Sequence, residues 1–313
     1  MTTAPVYFHI GYPKTGTTAL QGEVFPRVDT LHVWANGALG LPTNWTEDQK
    51  RGVRLLHHLV WDDDWQPGGA DIDDLLRLAD PGDGRISLAS YEALAGGLYY
   101  GDTHWLRNLQ RLRQVFPNGR VIVVVREQRS MLRASYSQYV RGGGTLSANR
   151  FPESDACDLD RLCYDRLVAQ ADQEFGADNV LVLVYEELSR APATFLAALG
   201  SFLGVGDLAR FAPEATRTRN ASYSAPTLTM IRLTNRLFRA SDLQPHPVLA
   251  SRRLSRYSIS AAGRFERVLA RGRAQPPKVR LPESFAPVVA ASNAALSGRC
   301  GTRLEEFGYL LPN

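Results

Sequence analysis

Short runs of apolar residues alternate along the chain with longer stretches of mixed apolar and polar residues. The short runs are rich in Val, Ile and Leu and predict buried β-strands, and the longer stretches have the length of helices. The predicted strands are Val6–Ile10, Leu31–Trp34, Arg85–Ser90, Gly119–Val125 and Asn179–Tyr185. Because helix-length segments separate these strands, we expect them to be parallel and joined by crossovers. The pattern predicts an α/β fold, with one parallel sheet covered by helices on both faces.

Helix predictions follow from the stretches between these strands. The predicted helices are Thr17–Val24, Arg51–Trp61, Ile72–Ala79, Trp105–Val115, Ser130–Tyr139, Leu159–Phe175 and Ala191–Leu203. Pro117, Gly142 and Gly204 stand just past three of these ends, where such residues are common. The Gly-rich stretch Gly142–Thr145 fits a helix-ending loop better than a gate. Since no linker divides the chain, residues 1–313 are expected to form a single domain, with a basic helical region around residues 225–313.

Charge is spread unevenly over the 313 residues. The formal net charge is +4, yet the segment 236–280 holds eleven Lys and Arg residues against Asp242 and Glu266. This leaves 25 basic and 30 acidic residues elsewhere. A solvated face of Arg-rich helices is the favoured interpretation, and attraction of an anionic ligand is the alternative. Nucleic-acid binding is disfavoured, because aromatic residues are sparse in the segment and it carries no known nucleic-acid motif.

Several functional classes are excluded by simple counts. No run of apolar residues approaches the 18 needed for a membrane span, and the first residues, Met1–Pro5, lack the charged and apolar pattern of a secretory leader. These features predict a soluble, cytoplasmic protein. The three Cys residues are unevenly spaced and fit neither a disulfide framework nor a Cys-based metal site. We therefore expect free thiols and no metal.

The stretch from Gly11 to Thr18 carries the clearest chemical signal. It follows the first predicted strand, contains Gly11, Lys14 and Gly16, and leads into a predicted helix. Glycines allow the backbone to fold closely around an anion, and the first amides of a helix favour negative charge. The sequence predicts a phosphate cradle between β-strand and helix.

Nucleoside triphosphatases use a related loop that differs at one position. Their pattern places Lys directly after the second Gly, whereas this chain has Thr17 there and carries its Lys inside the loop at Lys14. They also need a carboxylate to support Mg²⁺, yet the best second strand, residues 121–125, runs into Arg126. A small-molecule kinase and a non-catalytic nucleotide- or anion-binding protein remain alternatives.

The loop Pro13-Lys-Thr-Gly-Thr-Thr18, together with Arg126, resembles the sulfotransferases that use 3′-phosphoadenosine 5′-phosphosulfate (PAPS). The block Val184-Tyr-Glu-Glu-Leu188 is similar to the bacterial branch, and the resemblance spans roughly residues 5–225. It implies the sulfotransferase fold, a P-loop-like parallel sheet. It also implies that Arg126 binds the 3′-phosphate and that 3′,5′-adenosine bisphosphate is the product, with no metal required. The residues implied to bind the 5′-phosphosulfate are Pro13, Lys14, Thr15, Gly16, Thr17 and Thr18.

One position departs from the family pattern. The family places a Ser eight residues after its Arg, and this chain has Ala134 there. Ser135 and Ser130 are the available replacements, and Ser135 is favoured. Arg219 lies where related enzymes have a late cofactor-contacting loop, and it is a further candidate for the 3′-phosphate.

Sulfuryl transfer also needs a cation for the leaving phosphate and a base for the acceptor. Lys14 suits the first role. The resemblance makes Glu92 the first candidate for the base, because it follows a Ser-rich strand. His32 comes next, and His57 or His58 is the third option. His9, inside the first strand, is expected to brace the loop from behind.

The function predicted from these features is transfer of a sulfuryl group to a hydroxyl or amine. The acceptor is expected to be a small molecule or carbohydrate, with part of its pocket formed by the segment after Ser224. The sequence leaves the acceptor's identity and the oligomeric state open.

Overall fold

A parallel β-sheet forms the centre of the chain, as the apolar pattern predicts. The computed structural model describes residues 4–37, 45–99, 105–212, 223–269 and 275–312. The strands are β1 (Val6–His9), β2 (Leu31–Asn36), β3 (Ile86–Ser90), β4 (Arg120–Val125) and β5 (Val180–Val184). They are all parallel, in the order β2-β3-β1-β4-β5. The α/β prediction and all five predicted strands are confirmed.

α-Helices account for about half of the remaining described chain. They are α1 (Thr17–Ala19), α2 (Glu47–Trp61), α3 (Ala70–Ala79), α4 (Trp105–Val115), α5 (Gln128–Gly142), α6 (Tyr164–Phe175), α7 (Tyr185–Arg190), α8 (Pro192–Leu203), α9 (Ala225–Phe238), α10 (Arg252–Leu269) and α11 (Ala286–Ser297). The predicted helix Trp105–Val115 has the bounds of α4, Thr17–Val24 is only partly α-helical, and the other predicted helices are present with shifted ends. Helix α7 was not predicted.

The chain divides into two compact units. The first comprises Met1–Glu127, Arg161–Arg217 and Pro287–Asn313, and it contains the whole sheet. The second comprises Gln128–Asp160 and Thr218–Ala286. A single domain over residues 1–313 stays a prediction.

Both faces of the sheet are buried by helices of the first unit. On one face, Tyr7, Ile122 and Leu183 share a core with Phe195 and other residues of α8. On the other face, Phe8 packs against Phe116, with ring centroids 5.0 Å apart. Near-continuous apolar strands are stable only where both faces are covered, which explains the composition of β4 and β5.

The segment after the loop is less regular than the predicted helix Thr17–Val24. Only the three residues of α1 are α-helical; a wider π-helical turn, Leu20–Val24, follows, and then a 3₁₀ turn, Phe25–Arg27. Within the π turn, the Gln21 amide donates to the backbone carbonyl of Ser90 at 3.1 Å and to its hydroxyl at 3.0 Å. Since π turns commonly occur at functional sites, the π turn indicates that the preceding loop is part of such a site.

Two further helices differ from their predicted bounds for local reasons. The predicted helix Leu159–Phe175 is interrupted at Cys163, between a 3₁₀ turn and α6. The helix α2 begins four residues earlier than predicted, because Thr46 and Gln49 form a reciprocal cap at its start.

Helices make up most of the second unit, where buried polar groups connect them. The Asn235 amide of α9 donates to the carbonyls of Val140 (2.7 Å) and Gly144 (3.0 Å). The Glu266 carboxylate of α10 accepts from the Ser224 backbone amide and, at 2.7 Å, from its hydroxyl. These bonds pair the start of α9 with the end of α10, so the two helices form an antiparallel hairpin.

None of the described helices combines the length and apolar character needed to cross a membrane. Within the same described ranges, no three His, Cys, Asp or Glu side chains gather as a metal site would require. Cys157, Cys163 and Cys300 are buried free thiols.

Candidate active site

Three candidate residues follow neighbouring strands. Lys14 lies in the loop after β1, Glu92 stands two residues after β3, and Arg126 directly follows β4. Since β1 lies between β3 and β4, the carboxyl ends of these strands bring the three residues to one edge of the sheet. Ligands in open parallel sheets bind at this edge.

The loop between β1 and α1 contains two left-handed residues in close succession. Lys14 has φ 72° and Gly16 has φ 83°. The left-handed region suits Gly but costs a residue such as Lys roughly 1–2 kcal/mol. Loop hydrogen bonds support this conformation: the Thr15 hydroxyl donates to the Tyr12 carbonyl at 2.5 Å, and the amide of Ala19 donates to the Gly16 carbonyl at 2.9 Å.

Arg126, at the end of the neighbouring strand β4, contacts the backbone of Lys14. The guanidinium of Arg126 donates to the Lys14 carbonyl at 2.7 Å. It also lies over the ring of Tyr185, 4.5 Å from the centroid. A hydrogen bond from a charged donor contributes about 1.5–3 kcal/mol, enough to offset the cost of the left-handed Lys14. Arg126 therefore fixes the loop that carries the candidate leaving-group cation.

The end of β4 is itself anchored from two sides. The Tyr164 hydroxyl donates to the Arg126 carbonyl at 2.8 Å. The Glu186 carboxylate accepts from the Glu127 amide and from the Tyr309 hydroxyl, both at 3.1 Å. Burial raises the pKa of Glu186. The sequence reasoning did not find Tyr185 and Glu186 as site residues, although both lie in the block 184–188 that contributed to the family resemblance.

Glu92 stands beside the loop in a desolvated position. Burial raises the pKa of its carboxyl, while the charge of Lys14 and the Thr17 hydroxyl act in the opposite direction. Thr17 is buried, yet its Oγ1 makes no hydrogen bond of normal geometry within the described residues. The structure thus brings Lys14, Thr17 and Glu92 together.

A buried polar network lies behind the loop. The His9 ring nitrogen Nδ1 is 2.8 Å from the Ser90 hydroxyl, and the Gln21 amide reaches the same hydroxyl. The Asn36 amide donates to the Gln21 carbonyl at 3.1 Å. Complete burial lowers the pKa of His9 to about 4, so the ring is neutral at pH 7. This contact supports the sequence expectation that His9 braces the loop.

The other histidine candidates have different surroundings. His32 lies near the amino end of β2, opposite Ser87 of β3, and its Nε2 is bonded to the Leu78 carbonyl at 2.7 Å. The structure does not bring His32 to the loop, because its position is four residues before the carboxyl end of the strand. His57 contacts the residue before Glu92: its Nδ1 is 3.1 Å from the hydroxyl of Tyr91.

The remaining predicted binding residues have varied positions. Pro13 is buried in the loop, whereas Thr18 is exposed on the first turn after it. Ser135 is buried on α5 in the second unit. Arg219 lies outside the described residues.

The second unit contains a cavity of about 400 Å³. Its lining includes Tyr136, Arg232 and Lys278, and a hydrogen bond joins the Tyr136 hydroxyl to Arg232. None of its lining residues belongs to the β1–α1 loop. That the segment after Ser224 helps to bind the acceptor stays a prediction.

The sequence profile of the sulfotransferase family matches residues 5–208, which include the loop, Glu92, Arg126 and the whole sheet. The chain belongs to this family. Comparison of this sulfotransferase with curated proteins gives no significant match.

Solved structures with a similar fold are distant in sequence. The sulfotransferase of Alicyclobacillus acidocaldarius is 18% identical, with a TM-score of 0.46, and the match covers 69% of this chain and 86% of that one. The sulfotransferase domain of the Synechococcus PCC 7002 olefin synthase is 15% identical, with a TM-score of 0.39 and coverages of 84% and 96%. The sulfotransferase domain from the curacin biosynthetic pathway is 13% identical, with a TM-score of 0.38 and full coverage of both chains.

The buried His9 predicts a pH dependence of stability. Between pH 6.5 and about 4, the unfolded chain binds a proton at this ring that the folded chain does not bind. The free energy of unfolding should therefore fall as the pH falls, by up to about 3 kcal/mol from this ring. Urea denaturation at pH 7.5 and pH 5 should show a smaller loss in His9→Gln than in the unsubstituted protein. An equal loss in both proteins would contradict the assignment.

Proposed function

We propose that this sulfotransferase uses PAPS to transfer a sulfuryl group to a hydroxyl or amine of a small-molecule or carbohydrate acceptor. The observation that carries the proposal is the arrangement of Lys14, Thr17 and Glu92 at one edge of the sheet, beside a loop held by Arg126. When bound, PAPS would supply the sulfuryl group and leave as 3′,5′-adenosine bisphosphate.

The residues of the loop fit such an anion. The hydroxyl of buried Thr17 lies beside Glu92 but makes no hydrogen bond of normal geometry within the described residues, so it can donate to a phosphate or sulfate oxygen. Two glycines allow the loop backbone to pack closely against its neighbours. A Cβ on Gly16 would lie 2.6 Å from Leu188 Cδ2, and one on Gly11 would lie 3.1 Å from His9 Nε2. The Thr15 hydroxyl is already bonded to Tyr12, so we assign Thr15 to shaping the loop and Thr17 to binding the anion.

Each cation has a separate role in the proposal. The Lys14 ammonium stabilises negative charge on the leaving phosphate, a role that suits a compact cation. Arg126 offers a planar guanidinium to the 3′-phosphate while it holds the Lys14 carbonyl. Pro13 and Thr18, together with Ser135 and Arg219, remain proposed contacts to the donor.

Glu92 is the proposed general base. Its raised pKa makes the carboxylate a stronger base than an exposed Glu, and Lys14 keeps the charged form accessible. The acceptor proton moves to the Glu92 carboxylate as the acceptor oxygen or nitrogen bonds to sulfur and the bond from sulfur to the phosphate oxygen breaks. His57 is the second candidate, because it contacts the neighbouring Tyr91.

The cofactor class can be tested without knowledge of the acceptor. Calorimetric titration should show binding of 3′,5′-adenosine bisphosphate without metal, and weaker binding of ATP with Mg²⁺. In Arg126→Ala, affinity for the bisphosphate should fall at least about tenfold, because a charged hydrogen-bond donor is lost. Preference for ATP with Mg²⁺ would favour a kinase instead.

5′-AMP separates the two roles of Arg126, since it lacks the 3′-phosphate. If Arg126 also binds that phosphate, Arg126→Ala weakens the bisphosphate clearly more than it weakens AMP. Equal weakening of both ligands would mean that Arg126 acts only by holding the loop at Lys14.

Replacement of the loop cation should affect the rate. With an acceptor found by screening with labelled PAPS, Lys14→Ala should lower kcat by on the order of 10² or more, because a cation that stabilises the transition state is lost. Lys50→Ala is the matched control, since Lys50 is a surface residue paired with Glu47. A kcat for Lys14→Ala within about threefold of the unsubstituted protein would contradict the leaving-group role.

The base should leave a signature in the pH profile. Because Glu92 must be deprotonated to accept a proton, kcat should rise with pH through its raised pKa. Glu92→Gln should lower kcat and remove this limb, while calorimetry shows unchanged affinity for the bisphosphate. A normal kcat and an unchanged pH profile in Glu92→Gln would contradict the assignment of Glu92 as the base. His57 would then be the candidate, and His57→Gln would test it.

A further inference from the structure

Exposed apolar side chains are concentrated in the helical hairpin of the second unit. Of the nine large apolar side chains that are exposed in the described part of the chain, six lie between residues 233 and 265. Four of them belong to the hairpin tip, which we define as residues 236–254, where α9 ends and α10 begins. Their exposed fractions are 41% for Leu237, 69% for Val248, 63% for Leu249 and 49% for Leu254.

Backbone hydrogen bonds bring these side chains into one area. The amide of Leu249 donates to the Leu237 carbonyl at 2.7 Å, and the amide of Val248 donates to the Arg236 carbonyl at 3.2 Å. Residues 248–251 therefore run beside the last turn of α9. The amide of Leu254 lies 3.4 Å from the Ser251 hydroxyl, which places Leu254 in the first turn of α10. The backbone of the tip thus brings the four exposed apolar side chains into one region.

Two exposed cations lie within the tip. Arg236 and Arg253 are exposed, and Asp242 is the only acidic residue of the tip. The longer segment 236–280 has eleven basic and two acidic residues, a formal charge of +9. Its second acid, Glu266, accepts hydrogen bonds from the amide and hydroxyl of Ser224. Exposed aliphatic side chains within a strongly cationic field are typical of surfaces that enter the interface of an anionic membrane.

We propose that the hairpin tip binds an anionic lipid surface, with Val248 and Leu249 entering the interface and the arginines contacting the headgroups. A second copy of the chain is a poorer occupant, because pairing two such tips would bring like charges together. Nucleic acid is also poorer, since the tip exposes aliphatic rather than stacking aromatic side chains. The proposal concerns binding alone and is independent of the sulfuryl-transfer chemistry.

Vesicle sedimentation with the full chain tests the proposal. The protein should co-sediment with vesicles of phosphatidylcholine mixed with phosphatidylglycerol, and should not co-sediment with phosphatidylcholine alone. The double variant Val248→Ser/Leu249→Ser should lose at least about tenfold in partition coefficient, because the inserted apolar groups are removed. Arg236→Gln/Arg253→Gln should weaken binding and reduce its dependence on salt.

A matched control uses exposed apolar residues of the first unit. Trp61 and Leu106 are 38% and 42% exposed, and Trp61→Ser/Leu106→Ser should leave vesicle binding unchanged. All of these substitutions are at surface positions, and thermal melting should confirm that each variant folds. The proposal is overturned if the unsubstituted protein does not bind phosphatidylglycerol vesicles, or if Val248→Ser/Leu249→Ser binds them equally well. It is also overturned if vesicles are not bound and light scattering shows that the unsubstituted protein is a dimer and Val248→Ser/Leu249→Ser a monomer.

Discussion

The hydrogen bond from Arg126 to the Lys14 carbonyl is the contact on which the candidate site depends. Lys14 adopts a left-handed conformation that its side chain disfavours, and the guanidinium from the end of β4 compensates at 2.7 Å. Arg126 is in turn stacked on Tyr185 after β5. The shape of the β1 loop is thus maintained by residues distant in the sequence, and the parallel order of β1, β4 and β5 makes these contacts possible.

Burial gives similar residue types different chemical properties within this small region. His9 is enclosed behind the loop and is neutral, so it acts as a hydrogen-bonding brace without charge. Glu92 is desolvated on the ligand side, where Lys14 offsets part of the cost of its charge. Glu186 is also desolvated, but its oxygens accept from Glu127 and Tyr309. The protein therefore separates a candidate base from carboxylates and imidazoles that only support the structure.

Sequence patterns were sufficient for the strands and for much of the loop. Runs such as residues 121–125 consist of residues that favour buried strands, and their positions agree with β1 to β5. His32 shows where this reasoning stops. It lies in a predicted strand, but the predicted end at Trp34 left it two residues from the carboxyl end, whereas β2 continues to Asn36. The register with β3 places it near the amino end, with its imidazole bonded to Leu78.

The sequence by itself determined the fold class, the position of the candidate anion-binding loop and the family, because these depend on local composition and on a contiguous motif. Only the tertiary structure decided that the Thr15 hydroxyl is bonded to the Tyr12 carbonyl and that the Thr17 hydroxyl lies beside Glu92. It also decided that Tyr185 and Glu186 support the end of β4, and that apolar side chains project from a basic hairpin. Such features depend on burial and on contacts between distant segments, which the linear pattern of residues does not encode.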